Sequence, residues 1–126
     1  MRVLGYYREC WRAGTPDLSI RDFVRVQAGE GEDMILSYFR GASTLFAAMG
    51  VSVDVLGTSE QVIGGDSIQT DGEWVWRKDL GFYVSAYHVE LPYGFVHRVN
   101  AHEGRSPELS YERLVELTFE VDRAFG

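Results

Sequence analysis

Three histidines, one cysteine and nineteen carboxylates are the groups with which this 126-residue chain could do chemistry. His97 and His102 stand five apart, and His88 is alone beside Tyr87. A zinc pair on a helix needs histidines four apart plus a third ligand, so neither spacing describes a metal site. His88 keeps one option. Imidazole titrates near neutrality and acts as general acid or base where a partner orients it. A pocket between a hairpin and a helix, holding His88 with Tyr83, Tyr87 and a carboxylate such as Asp79, would supply that setting.

The remaining candidates are weaker. Cys10 lies between Arg8 and Arg12, but a nucleophilic cysteine needs a lowered pKa and a histidine in space, so it reads as a structural thiol. The run GGDS at 64–67 lacks the G-x-S-x-G spacing of a nucleophile turn and leads into a hairpin. GEGE and IGG carry no following lysine and no strand–loop–helix frame, so they are not phosphate loops. No spacing selects a pair of carboxylates for hydrolysis. No catalytic signature results, and no cofactor is expected.

The carboxylates matter more through their distribution. The formal net charge is −7. Residues 1–50 hold six acidic and six basic side chains, whereas 51–126 hold thirteen and six. Asp54, Glu60, Asp66, Asp71 and Glu73 fall within 51–76, where there is no Lys or Arg. Such a surface repels phosphate backbones, which argues against direct nucleic-acid binding. It attracts a basic partner, although acidic surfaces also serve solubility alone.

The length fits one domain, 1–126, able to bury about two-thirds of its unfolded surface. A lone cysteine permits no internal disulfide. No signal-peptide pattern and no long apolar run is visible, so a cytoplasmic protein without a membrane span is expected.

The elements follow from periodicity. RVLGYYRECW is an imperfect strand, and IRDFVRV fits helix and strand equally. EDMILSYFRGA reads as a helix, with Glu32 and Asp33 at its positive end, Arg40 at the other, Gly41 as a stop, and Ile35, Leu36 and Phe39 as its apolar stripe. STLFAAM suits a buried strand. VSVDVLG alternates Val51, Val53 and Val55 against Ser52 and Asp54, which predicts a half-exposed strand with the valines together. Asp71-Gly72 predicts a hairpin over about 67–76, pairing Gln69 with Trp74 and Ile68 with Val75. Trp74 and Trp76 then share a face with Gln69. Asp79 is the expected cap of a helix with Leu80, Tyr83, Val84 and Tyr87 on one stripe. Pro92 opens a helix from Tyr93 to Asn100. The last helix runs from Ser106 or Ser110 to about Ala124, burying Leu114, Leu117 and Val121, with Tyr111, Val115 and Phe125 joining them. Glu112 and Glu116 sit together on its outer side and repel unless Arg113 or Arg123 relieves them. The class is α+β: a small, mostly antiparallel sheet with helices packed on it, three of them in the C-terminal part.

The runs TDGEWVWRKDLGFYVSAYHVELPYGFV, residues 70–96, and YYRECWRAGTPDLSIRDFV, residues 6–24, resemble small bacterial proteins with a TDG-x-W-x-W then DL-x-x-YV-x-x-YHV-x-LP pattern. Some of that group look like immunity proteins of toxin systems. The paired aromatics before Val84 are here Phe82-Tyr83. The resemblance implies a protein partner and carries no catalytic residue.

Three functions compete. The first is a non-enzymatic binding protein, immunity- or antitoxin-like, that occludes a basic protein. Asp54, Glu60, Asp66, Asp71, Glu73 and Asp79 would steer that partner, and Trp74 and Trp76 would anchor it. The second is the His88 pocket. The third is a homo-oligomer paired through an aromatic face.

Overall fold

A computed structural model describes residues 2–125 except Ala13 and Thr15, and not the Phe125 side chain. In chain order the elements are β1 (Arg2–Val3), a 3₁₀ turn (Ile20–Phe23), α1 (Glu32–Arg40), β2 (Ser43–Phe46), β3 (Val51–Val53), β4 (Gln61–Ile63), β5 (Ile68–Thr70), β6 (Trp74–Arg77), α2 (Leu80–Tyr87), α3 (Tyr93–Ala101) and α4 (Tyr111–Phe125). The class is α+β as expected, with three helices after the strands. The main sheet has the order β1-β6-β5-β2. Only β1 with β6 is parallel; the other pairs are antiparallel. β3 and β4 form a separate antiparallel pair.

The hairpin forms, but its register differs from the expected one. Gln69 faces Trp76 and Thr70 faces Val75. The turn is centred on Gly72-Glu73, with Gly72 at φ 100°, so Asp71 precedes the bend. Asp71 is drawn inward because its carboxylate accepts from the Glu73 and Trp74 amides, at 2.9 and 2.8 Å. A shift of two residues preserves the side-chain alternation, so Trp74 and Trp76 still share a face with Gln69.

That face carries the core. Phe95 of α3 lies 5.6 Å from the Tyr38 ring, 5.7 Å from Phe39, 5.7 Å from Trp74 and 5.6 Å from Trp76, centroid to centroid. Three of these contacts are edge-on, the arrangement that ring quadrupoles favour. Arg2 lies over the Trp74 ring at 5.2 Å. On the other side of the hairpin Val75 and Thr70 are fully buried. α4 touches β2 and buries Leu117 and Val121.

Several expectations need correcting. β2 is not a buried strand: Thr44 and Phe46 reach solvent. In α1, Tyr38 replaces Leu36 in the buried stripe. In α4, Tyr111 and Val115 point outward with Phe119, while Phe125 lies outside the described side chains. Arg113 does relieve its acidic neighbours, reaching Glu116 at 3.1 Å and Glu120 at 3.7 Å.

Candidate functional site

Most of the expected acidic belt is tied into the fold. Asp71 is fully buried. Its carboxylate accepts from the Tyr38 hydroxyl at 2.6 Å and from Arg98 Nε at 2.8 Å, besides the two turn amides. Asp79 does not cap α2 with its side chain. It is buried against Arg77, which donates to it from Nε at 3.1 Å and Nη2 at 2.8 Å, and Ser52 Oγ donates to it at 3.0 Å. Asp66 is exposed but bonded to the same guanidinium. Glu73, also exposed, stands 3.3 Å from Arg98.

Asp54 is buried as well. It accepts from the Leu56 and Thr58 amides, the Thr58 hydroxyl and the Tyr87 hydroxyl. Burial alone would raise its carboxyl; the bonds from Thr58, Tyr87 and the amides outweigh it and hold the group below the usual carboxylate range. Glu60 is the one named acid that is exposed with no ion pair among the described residues. Trp76 is wholly enclosed and Trp74 nearly so. Both indoles are therefore core, which removes the expected aromatic anchor from the surface.

Exposed apolar side chains gather instead on the outward stripe of α4 described above and on the small sheet. Alternation in β3 is kept, and the valine side is the exposed one. Ser52 and Asp54 point inward to the Asp79 and Tyr87 contacts above and Val51 and Val53 point out, but the strand ends at Val53 and Val55 packs against the core. Met49 is 100% exposed, Ile63 78%, Val53 52% and Val51 46%. Val51 and Ile63 are cross-strand partners, and Met49 and Ile63 line one shallow depression. Gly65, in the GGDS run, lies under this sheet: a Cβ there would stand 1.9 Å from Ser52 Oγ and 3.2 Å from Asp79 Cβ. That run is a close-packing point and not a nucleophile turn.

His88 is in a cleft, with other neighbours than expected. Tyr83 and Tyr87 face the 54–58 loop: the Tyr83 hydroxyl accepts from the Val55 amide at 3.0 Å, and Tyr87 serves Asp54. Asp79 is engaged by Arg77. Around His88 instead is a cleft of about 550 Å³ between the 25–30 loop, the start of α1, the end of α2 and α3. Ile35, Val84, Val89, Leu91 and Val96 form its apolar side. The 25–30 loop is held there because Arg25 N–H donates to Tyr87 O and Glu90 N–H to Phe23 O, at 3.1 and 2.9 Å. His88 Nδ1 meets Glu32 Oε2 at 3.0 Å and Oε1 at 3.2 Å. The sequence separates these two by 56 positions, so no local spacing signals the pair.

His88 ends α2 in the left-handed region, φ 53° and ψ 40°. For a residue with a Cβ that costs about 1–2 kcal/mol, and glycine is the usual occupant. The bond to Glu32 offsets part of this cost and joins the C-terminus of α2 to the N-terminus of α1.

Cys10 is partly buried. Burial, with the Asp79 charge adding to it, pushes its thiol up to about 12. Among the described residues no group of His, Cys, Asp and Glu could hold a metal ion, and no helix is long and apolar enough to cross a membrane. Set against known protein families, curated proteins and solved structures, the chain finds no match.

Proposed function

We propose that the protein is a non-enzymatic binding protein that occludes another protein, and that its contact surface is the outer face of β3–β4. One observation carries this reading. The small sheet turns Ser52 and Val62 inward and presents Val51, Val53 and Ile63 to solvent, with Gln61 on the same face and Met49 just before β3. Neighbouring exposed apolar side chains of this kind mark interaction surfaces. Covering Met49 and Ile63 would contribute about 1.5–3 kcal/mol each. The charge of −7 favours a basic partner and speeds its approach. Glu60, exposed and without an ion pair among the described residues, immediately precedes β4. The resemblance of residues 70–96 to proteins that look like toxin immunity proteins supports the same reading.

The test is comparative. Wild type and the double variant Met49→Asp/Ile63→Asp are used as bait at low and high salt. Both changes are at exposed positions, so stability should stay within about 0.5 kcal/mol. A protein retained by wild type and lost by the variant supports the proposal. Equal retention by both overturns it. A dimer mass in solution that returns to 14.3 kDa in the variant would assign the face to a second copy instead.

A further inference from the structure

We propose that the cleft around His88 and Glu32 is a binding site for small organic amines: an apolar body carrying one ammonium head. The volume of about 550 Å³ lies within the range of small-molecule sites, which are apolar with a few converging polar groups. Ile35, Val84, Val89, Leu91 and Val96 would receive the body.

The head group follows from His88 and its surroundings. With Nδ1–H donated to Glu32, a neutral imidazole presents Nε2 as an acceptor. In that form Nε2, which has no partner among the described residues, offers a lone pair to a donor. Charge narrows the choice. Glu30, Glu32 and Glu90 line the cleft against one guanidinium, that of Arg25, which is already bound to Glu90. Glu32 is only 14% exposed, where a carboxylate acts through less solvent than at the surface. A cation that donates a hydrogen bond satisfies both Nε2 and this excess; a carboxylate satisfies neither. The left-handed backbone at His88 points the same way. Glycine would adopt it without strain, yet the chain places there a side chain that reaches Glu32 through one nitrogen and leaves the other facing the cleft.

The probe is 2-phenylethylamine, compared with 3-phenylpropionate as its anionic counterpart, in titrations followed by amide NMR shifts. The amine should shift residues 25–35 and 84–96 and saturate at millimolar concentration or below; the acid should not bind. Glu32→Gln keeps an acceptor for Nδ1–H and removes the charge, so the amine should bind at least tenfold more weakly. Ala28→Trp, on the exposed 25–30 loop, should block the mouth and abolish binding with the rest of the spectrum unchanged. If Glu32→Gln fails to fold, Ala28→Trp decides. Absence of shifts in these segments, equal binding of the acid, or unchanged affinity in a folded Glu32→Gln or Ala28→Trp protein would overturn the proposal.

Discussion

Replacing Asp71 by alanine should be among the most damaging single changes in the molecule. The carboxylate has no exposed surface and accepts four hydrogen bonds, from Tyr38, Arg98 and the Glu73 and Trp74 amides. Alanine strands the Tyr38 hydroxyl and the Trp74 amide in the interior, at about 1–3 kcal/mol each. Arg98 is less affected. It keeps the Asp71 carbonyl at 3.2 Å and Glu73 at 3.3 Å, and its side chain is 20% exposed. The sum is a loss of about 3–5 kcal/mol, the range found when one partner of a buried charged pair is removed. Asp71→Asn retains an oxygen for both amides but puts an amide donor where Oδ2 accepted from Tyr38 and Arg98, and losing those two bonds should cost about 1.5–3 kcal/mol. The assay is urea unfolding followed by tryptophan fluorescence, because Trp74 and Trp76 are buried beside the turn. With m between about 1 and 3 kcal/mol/M, the alanine midpoint should fall by ~2 M and the asparagine midpoint by about half as much. An alanine variant within 1 kcal/mol of wild type would refute the view that this carboxylate holds the hairpin.

Gly65→Ala should destabilise by about 1–3 kcal/mol through overpacking against Ser52 and Asp79, and Ser52→Gly in the same chain should recover part of that loss in thermal melts. Asp54 is held below the usual carboxylate value, so its stabilisation is complete above about pH 4 and is lost as pH falls through the lower folded value. The urea midpoint of Asp54→Asn should therefore lie below that of wild type at pH 7 and converge with it on acidification; parallel curves would contradict this. Cys10, with its thiol near 12, should alkylate on the order of a hundredfold more slowly than free cysteine at pH 8, read by mass spectrometry against iodoacetamide.

What could be read from the residues was what local periodicity encodes. α1 with its charged ends, the hairpin, the helix opened by Pro92 and the long last helix all follow from spacing, caps and turn chemistry. The valine alternation of β3 was legible too, but not the direction its faces point. That direction depends on Asp79, Tyr87 and Gly65, which meet Ser52 and Asp54 only in the folded chain. Asp71-Gly72 reads as a turn tip on local grounds; Tyr38 and Arg98, 33 and 27 positions away, pull Asp71 inside and move the bend one residue along. The acids failed to form a belt for the same reason: Arg77 and Arg98 lie outside the window in which the acids were counted. Phe95 carried no signal at all, since a phenylalanine on a short helix does not announce that four other rings surround it. His88 was legible as a candidate, whereas its partner Glu32 was not.

The parallel contact of Arg2 with Trp74 and Val3 with Val75 bears on how the chain is made. The first strand leaves the ribosome about seventy residues before its partner. At about 5–20 residues per second it waits roughly 4–14 s for a place to dock. Closing so long a loop comes late in folding, so the N-terminal strand should be the last edge to seal, once β5 and β6 have paired.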